Sequence, residues 1–468
     1  MKRFNICRIL GIVMLMLGSS CNSWLDVKPD NKVLEDDLLI DEDGFNTALN
    51  GIYLGLADVN LYGKELSCGY IEALAQMYSI VQQTTGKSSK YLFFTQYKYT
   101  DTSVKDCFSA TWTSMYNLIA NCNNLLEQAE LRKDVFGSEK SYDSFVSELY
   151  ALRAFLHFDV FRLWGPLYSE GAKETKCIPY YKKRYPLPVN LSTAGEVVDN
   201  VLADLHVADS LAPAGSKTYK MNVSRDAIKA LRARVYLYIG EKELAYQEAS
   251  SLFSTNIQTV YPFTKSSDVQ NSTAPDRLFY SEQIFLLENS KRSELYEDMF
   301  DYMLEDMLFL APSQETITKL FPNLNDYRYG WWKINPGNGK AVSLVKFASI
   351  TDNSNPVRTR GQSLLKVSEL YLIMAECAPE EDDRIAYLNL LRVGRGYQSG
   401  AITDAEKKEW QTTLQNEYKR EFYGEGQFFF YLKRKHISTL TAGTGNGDLT
   451  MGEAQYVIPL PESESLYR

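Results

Sequence analysis

The sequence predicts a mostly α-helical protein: stacked helical hairpins form a curved frame, with a loop-rich layer and a few short strands packed on it. Three observations carry this expectation. Apolar residues recur at alternating spacings of three and four through long stretches, the period of a one-sided helix. Twice such a stripe breaks at a glycine or proline and resumes, as in a tetratricopeptide-like hairpin. Between the striped stretches lie two long irregular ones, near 58–105 and 255–362, rich in Tyr, Ser, Thr, Asn and Gly.

The chain opens with Lys2, Arg3 and Arg8, then an apolar run from Ile9 to Leu17 broken only by Gly11. A basic start, a short greasy middle and the small exit residues Gly18, Ser19 and Ser20 describe a secretory signal. A spanning helix needs about 20 apolar residues, and this run is far shorter. Cys21 stands where a bacterial lipoprotein signal is cut and the new terminal thiol acylated. Residues 1–20 are therefore expected to be a lipoprotein signal peptide and Cys21 the lipidation site. Two or more acyl chains, at about 0.8 kcal/mol per buried CH₂, hold a protein on a membrane in effect permanently. No low-complexity linker follows, so 21–468 is expected to be a single domain.

The first stripe runs through Phe108, Trp112, Met115, Ile119, Cys122, Leu126 and Ala129. The second uses Phe145, Leu149, Leu152, Leu156, Val160 and Leu163, and Phe155, Phe158 and Phe161 add a second apolar face, so this helix should be buried on two sides. Trp164, Gly165 and Pro166 stop it. In 224–253 Ser224 is the expected N-cap; Ile228, Leu231, Val235 and Tyr238 face inward, Gly240 breaks the helix, and Ala245, Ala249 and Leu252 resume it. In 366–396 Val367, Leu370, Met374 and Cys377 point inward and Pro379 makes the bend. A last helical stretch is expected from about Asp404 to Lys435. Such hairpins cannot bury their faces alone and stack on one another. Within the irregular regions "YLFFTQYKY" and "DYRYGWWKI" alternate as half-exposed strands do.

Composition narrows the function. The formal charge is −9, and loss of Lys2, Arg3 and Arg8 with the signal takes it to −12. A nucleic-acid face would need clustered basic residues. With 32 Tyr against 6 Trp, the surface suits a ligand that is partly polar and partly flat. After Cys7 and Cys21, five cysteines remain: Cys68, Cys107, Cys122, Cys177 and Cys377. At 1.5 Å per residue, Cys107 and Cys122 lie about 20 Å apart along one helix and cannot pair. Cys122 and Cys377 fall on apolar stripes, as small buried hydrophobes do. Only three histidines and no CxxC pair leave a metal site unsupported, and no cofactor is expected. There is no HExxH, GxSxG or Walker loop, so no enzyme is expected. "GTGNGDLTMGE" is glycine-rich but has neither the strand nor the helix of a phosphate loop and is expected to be a surface loop. His157, among phenylalanines, is expected to be a core histidine; His206 and His436 are expected on polar helix faces.

Several stretches together resemble the SusD/RagB family of outer-membrane nutrient-binding lipoproteins: "CNSWLDVKP", "GFNTALNGIY", "WTSMYNLIANCNNLLE", "ELYALRAFLHFDVFRLWGPL", "SRDAIKALRARVYLY", "NDYR", "KVSELYLIMAEC", "NEYKREFYGEGQFFFYLKR" and "YVIPLPESE", in that order. Gln427 departs from the arginine usual in that family. The resemblance implies a right-handed superhelix of four tetratricopeptide-like helix pairs whose loops hold a nutrient, usually a glycan. It also implies a partner, a SusC-like TonB-dependent transporter, with the lipid anchor holding the protein on the outer membrane, facing outward. Arg153, Arg225 and Glu369 are expected to pin helices together through paired charges.

Sugars offer weakly apolar C–H faces and many hydroxyls, so a site needs exposed flat rings beside amide and charged side chains. "NLNDYRYGWWK" is the first candidate: on a strand Tyr327, Tyr329 and Trp331 would share one face and Arg328 and Trp332 the other. The tyrosine layer of Tyr62, Tyr70, Tyr91, Tyr97 and Tyr99 is the second, with Tyr70 and Tyr97 foremost. On this reading Trp331→Ala or Trp332→Ala would weaken glycan retention without unfolding the protein. Two other occupants fit the same architecture: a basic peptide in an acidic cleft, or a protein partner on the helical frame.

Overall fold

The computed structural model describes residues 35–80, 89–184, 190–214, 220–253, 257–350, 352, 355–399 and 402–466. The proposed signal peptide and Cys21 lie outside the described residues. Ten longer helices make the frame: α1 (Glu42–Leu56), α2 (Thr102–Leu131), α3 (Glu139–Trp164), α4 (Ala194–Leu211), α5 (Arg225–Ile239), α6 (Lys242–Phe253), α7 (Val367–Cys377), α8 (Glu381–Gly394), α9 (Trp410–Glu421) and α10 (Gln427–Arg434). From α1 to α8 the frame helices pack in sequence order, each on the next. Local chemistry sets their ends. Ser138 and Thr193 close capping boxes on α3 and α4. Ser224 accepts from the Ala227 N–H at the start of α5, and Gly240, with φ +87°, ends it in the left-handed conformation that favours glycine.

The stripes face the core as expected. Trp112, Met115, Ile119 and Cys122 are buried on α2. On α3 every residue from Leu152 to Trp164 is buried, as two apolar faces require. Paired charges stitch the helices. Arg153 on α3 makes two 2.7 Å bonds to the Asp204 carboxylate on α4. Arg234 on α5 grips Glu369 on α7 through two bonds of 2.6 Å. Arg225 reaches Asp209 of α4 at 2.7 Å. His157 is a core residue: Nδ1 lies 3.0 Å from the Arg153 carbonyl and Nε2 accepts from the Tyr181 N–H. Burial pulls it down to about 3, so the ring is neutral. All five described cysteines are unpaired, and burial pushes the Cys68, Cys122 and Cys377 thiols up to about 12.

Strands form two-stranded antiparallel ribbons: β1 (Lys176–Ile178) with β2 (Ser192–Thr193), β3 (Gln283–Glu288) with β6 (Gly361–Lys366), β4 (Trp332–Gly337) with β5 (Lys340–Leu344), and β7 (Thr439–Thr441) with β8 (Asp448–Thr450). An isolated hairpin is marginal in water; β3 is buried along all but its last residue, against α1 and α5.

Three local expectations are corrected. "YLFFTQYKY" is not a strand: Leu92–Thr95 is a helical turn, and Tyr97 follows at φ +53°. Tyr327–Trp331 is a 3₁₀ turn that becomes strand only at Trp332. Asp326 starts the turn by accepting from the Arg328 N–H, which favours a tight bend over extension. The helical stretch 404–435 consists of three helices: Glu409, at φ −104° and ψ 41°, separates the first two, and Gly424 and Gly426, at φ +74° and +71°, separate the last two. A Cβ on Gly426 would stand 2.1 Å from the Leu66 carbonyl oxygen, so only glycine fits. His436 follows α10 at φ +50° rather than riding on a helix face; His206 is exposed on α4.

Candidate functional site

A three-residue turn puts Arg328 and Trp331 on one side, where a strand would have opposed them. Both point inward. Arg328 is fully buried among Asp326, Glu417 and Glu421, with bonds of 2.6–2.9 Å. Arg395 bridges Glu282 and Glu421, and Lys346 and Lys366 hold Glu425. Trp331, 1 % exposed, packs on Phe279 and lies under the Lys346 ammonium at 3.9 Å. Trp332, 6 % exposed, meets the edge of Tyr423. Neither tryptophan can offer a face to a ligand. Truncating either to alanine empties a packed position, which costs roughly 3–5 kcal/mol of stability.

The second tyrosine group is largely internal too. Tyr70 stacks on Phe94 and donates to Thr111, Tyr62 donates to Asp159, Tyr91 to Glu65 and Tyr99 to the Gln455 carbonyl. All four are buried. These four candidates fill the joint between loop layer and frame. Tyr97, Tyr327 and Tyr329 remain half-buried.

Tyr97 leads to the site. Its hydroxyl donates to the Leu74 carbonyl and accepts from Gln76 Nε2 at 3.1 Å. Gln76 also donates to the Thr95 carbonyl, and its Oε1 accepts from the Gly443 N–H. Both Gln76 (φ +57°) and Tyr97 stand in the left-handed region, a conformation that costs a non-glycine residue about 1–2 kcal/mol. Two such residues bonded to one another mark a place where geometry is imposed, as happens at functional sites.

Gln76 lines a cavity of about 400 Å³, and beyond it lies a second of about 590 Å³. Ser313 borders both, so they are neighbours. The larger cavity lies among Ser79, Ser89, Asp306, Phe309, Gln314 and Lys340, with Ile80 and Val342 beneath. Its walls come from separate loops. Ser79 donates its N–H to the Ala311 carbonyl at 2.8 Å, tying the first irregular region to the second. Asn338 and Gly339, both at positive φ, turn β4 into β5 as a tight asparagine–glycine hairpin and deliver Lys340. Its ammonium lies 4.8 Å over the Phe309 ring and pairs with Asp306. One ring beside hydroxyls, an amide and a held charge is the mixture that a sugar surface matches.

A third cavity, about 370 Å³, collects Tyr261, Phe263, Tyr327 and Tyr371 beside α8. It is richer in rings, yet Tyr261 and Tyr371 are themselves buried and Leu390 and Val393 complete the rim. Some of its hydroxyls are already engaged, Tyr261 donating to Asp226 at 3.1 Å and Thr264 Oγ1 lying 2.9 Å from Ser281 Oγ, and a sugar hydroxyl left unsatisfied costs about 1–3 kcal/mol. Of the residues singled out by sequence, Tyr97 supports the paired cavities and Tyr327 lines this third one. Phe309, Lys340 and Gln76 escaped notice, although Asn338–Gly339 is a strong short hairpin signal.

The family model described as starch-binding, associating with the outer membrane, matches residues 23–237. SusD-like protein P38 of Formosa agariphila is 26 % identical, across 96 % of this chain and 95 % of its own. A SusD superfamily protein from Bacteroides vulgatus aligns with TM-score 0.71 and 20 % identity over 91 % of this chain and 97 % of its own. A laminarin-binding SusD-like protein aligns with TM-score 0.65 and 17 % identity over 91 % and 98 %. At these identities the structural matches speak for the fold, which is that of SusD-like proteins over more than nine-tenths of the chain, and residues 23–237 match the SusD-like family model.

Proposed function

We propose that this protein captures glycan at the cell surface and passes it to a SusC-like TonB-dependent outer-membrane transporter, held in place by lipid on Cys21. The observation that carries the reading is the pair of neighbouring, polar-lined cavities that share Ser313, with Phe309 as the flat contact. The family match over residues 23–237 and the shared fold support it: the matched family is described as starch-binding and outer-membrane-associated, and one structural relative is a laminarin-binding protein. SusD-like proteins bind rather than cleave, so the cleft needs complementarity and no reacting group. Among the described residues no helix is long and apolar enough to cross a membrane; on this reading two or more acyl chains on Cys21 supply the anchor.

The experiment is affinity electrophoresis of the chain beginning after Cys21 through a polysaccharide panel, beside Phe309→Ala and Gln314→Ala. Loss of the ring platform is expected to weaken retention about tenfold, near 1.4 kcal/mol. Retention unchanged in both variants, or no glycan retained by the parent protein, would overturn the assignment.

A further inference from the structure

The smaller cavity has a chemistry of its own. Its wall includes Gln415, Asn416 and Lys419 of α9, which the helical repeat places on one face. The opposite face of α9 carries Glu417, Arg420 and Glu421, all engaged in the buried network around Arg328. The cavity-side trio has no such engagement. Among the described residues, no hydrogen-bond or ion-pair partner meets the side chains of Gln415, Asn416 or Lys419. The Lys419 ammonium lies 5.8 Å from the centre of the Phe428 ring, beneath the cavity. At the mouth, Lys319 and Glu315 neutralise each other at 2.6 Å.

Enclosure pulls Lys419 down to about 8, so it remains mostly charged at neutral pH. The carboxylate that acts on it, Glu72, is pushed up to about 8 by its own burial and supplies little opposing charge there. A half-buried cation without a counter-ion, in a chain of net charge −9, is a local exception to the molecule's sign. Two amides beside it add directional donors. A compact anion satisfies all three, and in partly dehydrated surroundings the attraction is several times its value in water.

We propose that this cavity is the subsite for the anionic group of an acidic sugar, a uronate carboxylate or a sulfate ester, in the glycan whose neighbouring unit occupies the larger cavity. The inference rests on the glycan-capture reading and adds the substrate class. Ser313, common to both cavities, is where the two sugar units would join.

The test is calorimetric titration of polygalacturonate, its methyl-esterified form, a sulfated galactan, starch and laminarin into the parent protein, Lys419→Met and Asn416→Ala. The expected result is a preference for a charged polymer, a loss of at least tenfold in Lys419→Met, and weakening between 0.1 and 0.5 M salt. Polygalacturonate binding that esterification abolishes identifies the carboxylate; binding of the sulfated galactan alone identifies the sulfate. Should Lys419→Met fail to fold, Asn416→Ala and the salt dependence carry the same decision. Binding of neutral polymers alone, or of charged and esterified forms equally, overturns the inference while glycan capture stands. Binding of nothing overturns both.

Discussion

Glu72 is fully buried, and its Oε1 accepts the Gly426 N–H at 2.9 Å while Oε2 meets no donor among the described residues. Burial raises its carboxyl from 4.5 to about 8. Between those values the folded chain holds a proton that the unfolded chain has lost, so this residue's contribution to stability falls as pH rises from about 4.5 towards 8. Glu72→Gln keeps the acceptor for Gly426 and cannot ionise. Its stability relative to the parent protein should therefore grow across that range, to about 4 kcal/mol by pH 8, in urea unfolding followed at several pH values. Parallel pH profiles for the two proteins would show that Glu72 ionises as an ordinary carboxylate. Glu376 has the opposite sign: Arg434 and Lys435 hold it down to about 2, so its contribution is present above 4.5 and lost as acid approaches 2.

At the scale of elements, the site depends on how loops are held to the frame. The β7–β8 hairpin closes the smaller cavity by laying Gly443 against the turn at Gln76–Tyr78. A Cβ on Gly443 would stand 2.0 Å from the Tyr78 carbonyl oxygen, with backbone on both sides. Gly443→Ala should lift the hairpin, break the Gly443 to Gln76 bond and cost roughly 1–3 kcal/mol, with faster amide exchange confined to 76–78 and 439–450. Unchanged exchange there would show that the wall does not rely on this contact. The frame was legible because its signal is periodic: the stripe from Phe108 to Ala129 and the doubled faces of α3 need only helix geometry. The capping box Thr193–Glu196, the clearest local mark of α4, was in the sequence but not taken up. Tyr327–Trp332 was misread because its alternation suits a strand, whereas the Asp326 carboxylate bends it into a turn of three. Whether a tyrosine faces water or Asp159 depends on packing between residues about a hundred positions apart, which no local pattern contains.

At the scale of the molecule, the ten longer helices and four ribbons among the described residues share one contiguous apolar core. A cluster of Arg, Lys, Asp and Glu side chains is buried where loop layer meets frame. Pairs of this kind add little net stability, and removing one partner from them is costly, typically 3–5 kcal/mol. Their arrangement here fixes the Asp326 turn, β6 and α9 to one another, and so fixes what the loops enclose. The paired cavities are an outcome of that assembly: the larger is walled by the two irregular regions, and the smaller adds α9, α10 and the β7–β8 hairpin, a meeting of distant segments that no local pattern contains. Hydrogen-exchange mass spectrometry with a retained oligosaccharide tests the central claim most directly. Protection is predicted at 76–80, 306–316, 339–342 and 439–445, around the two cavities that share Ser313. Protection at 258–264 and 390–394 instead, around the aromatic cavity beside α8, would contradict it.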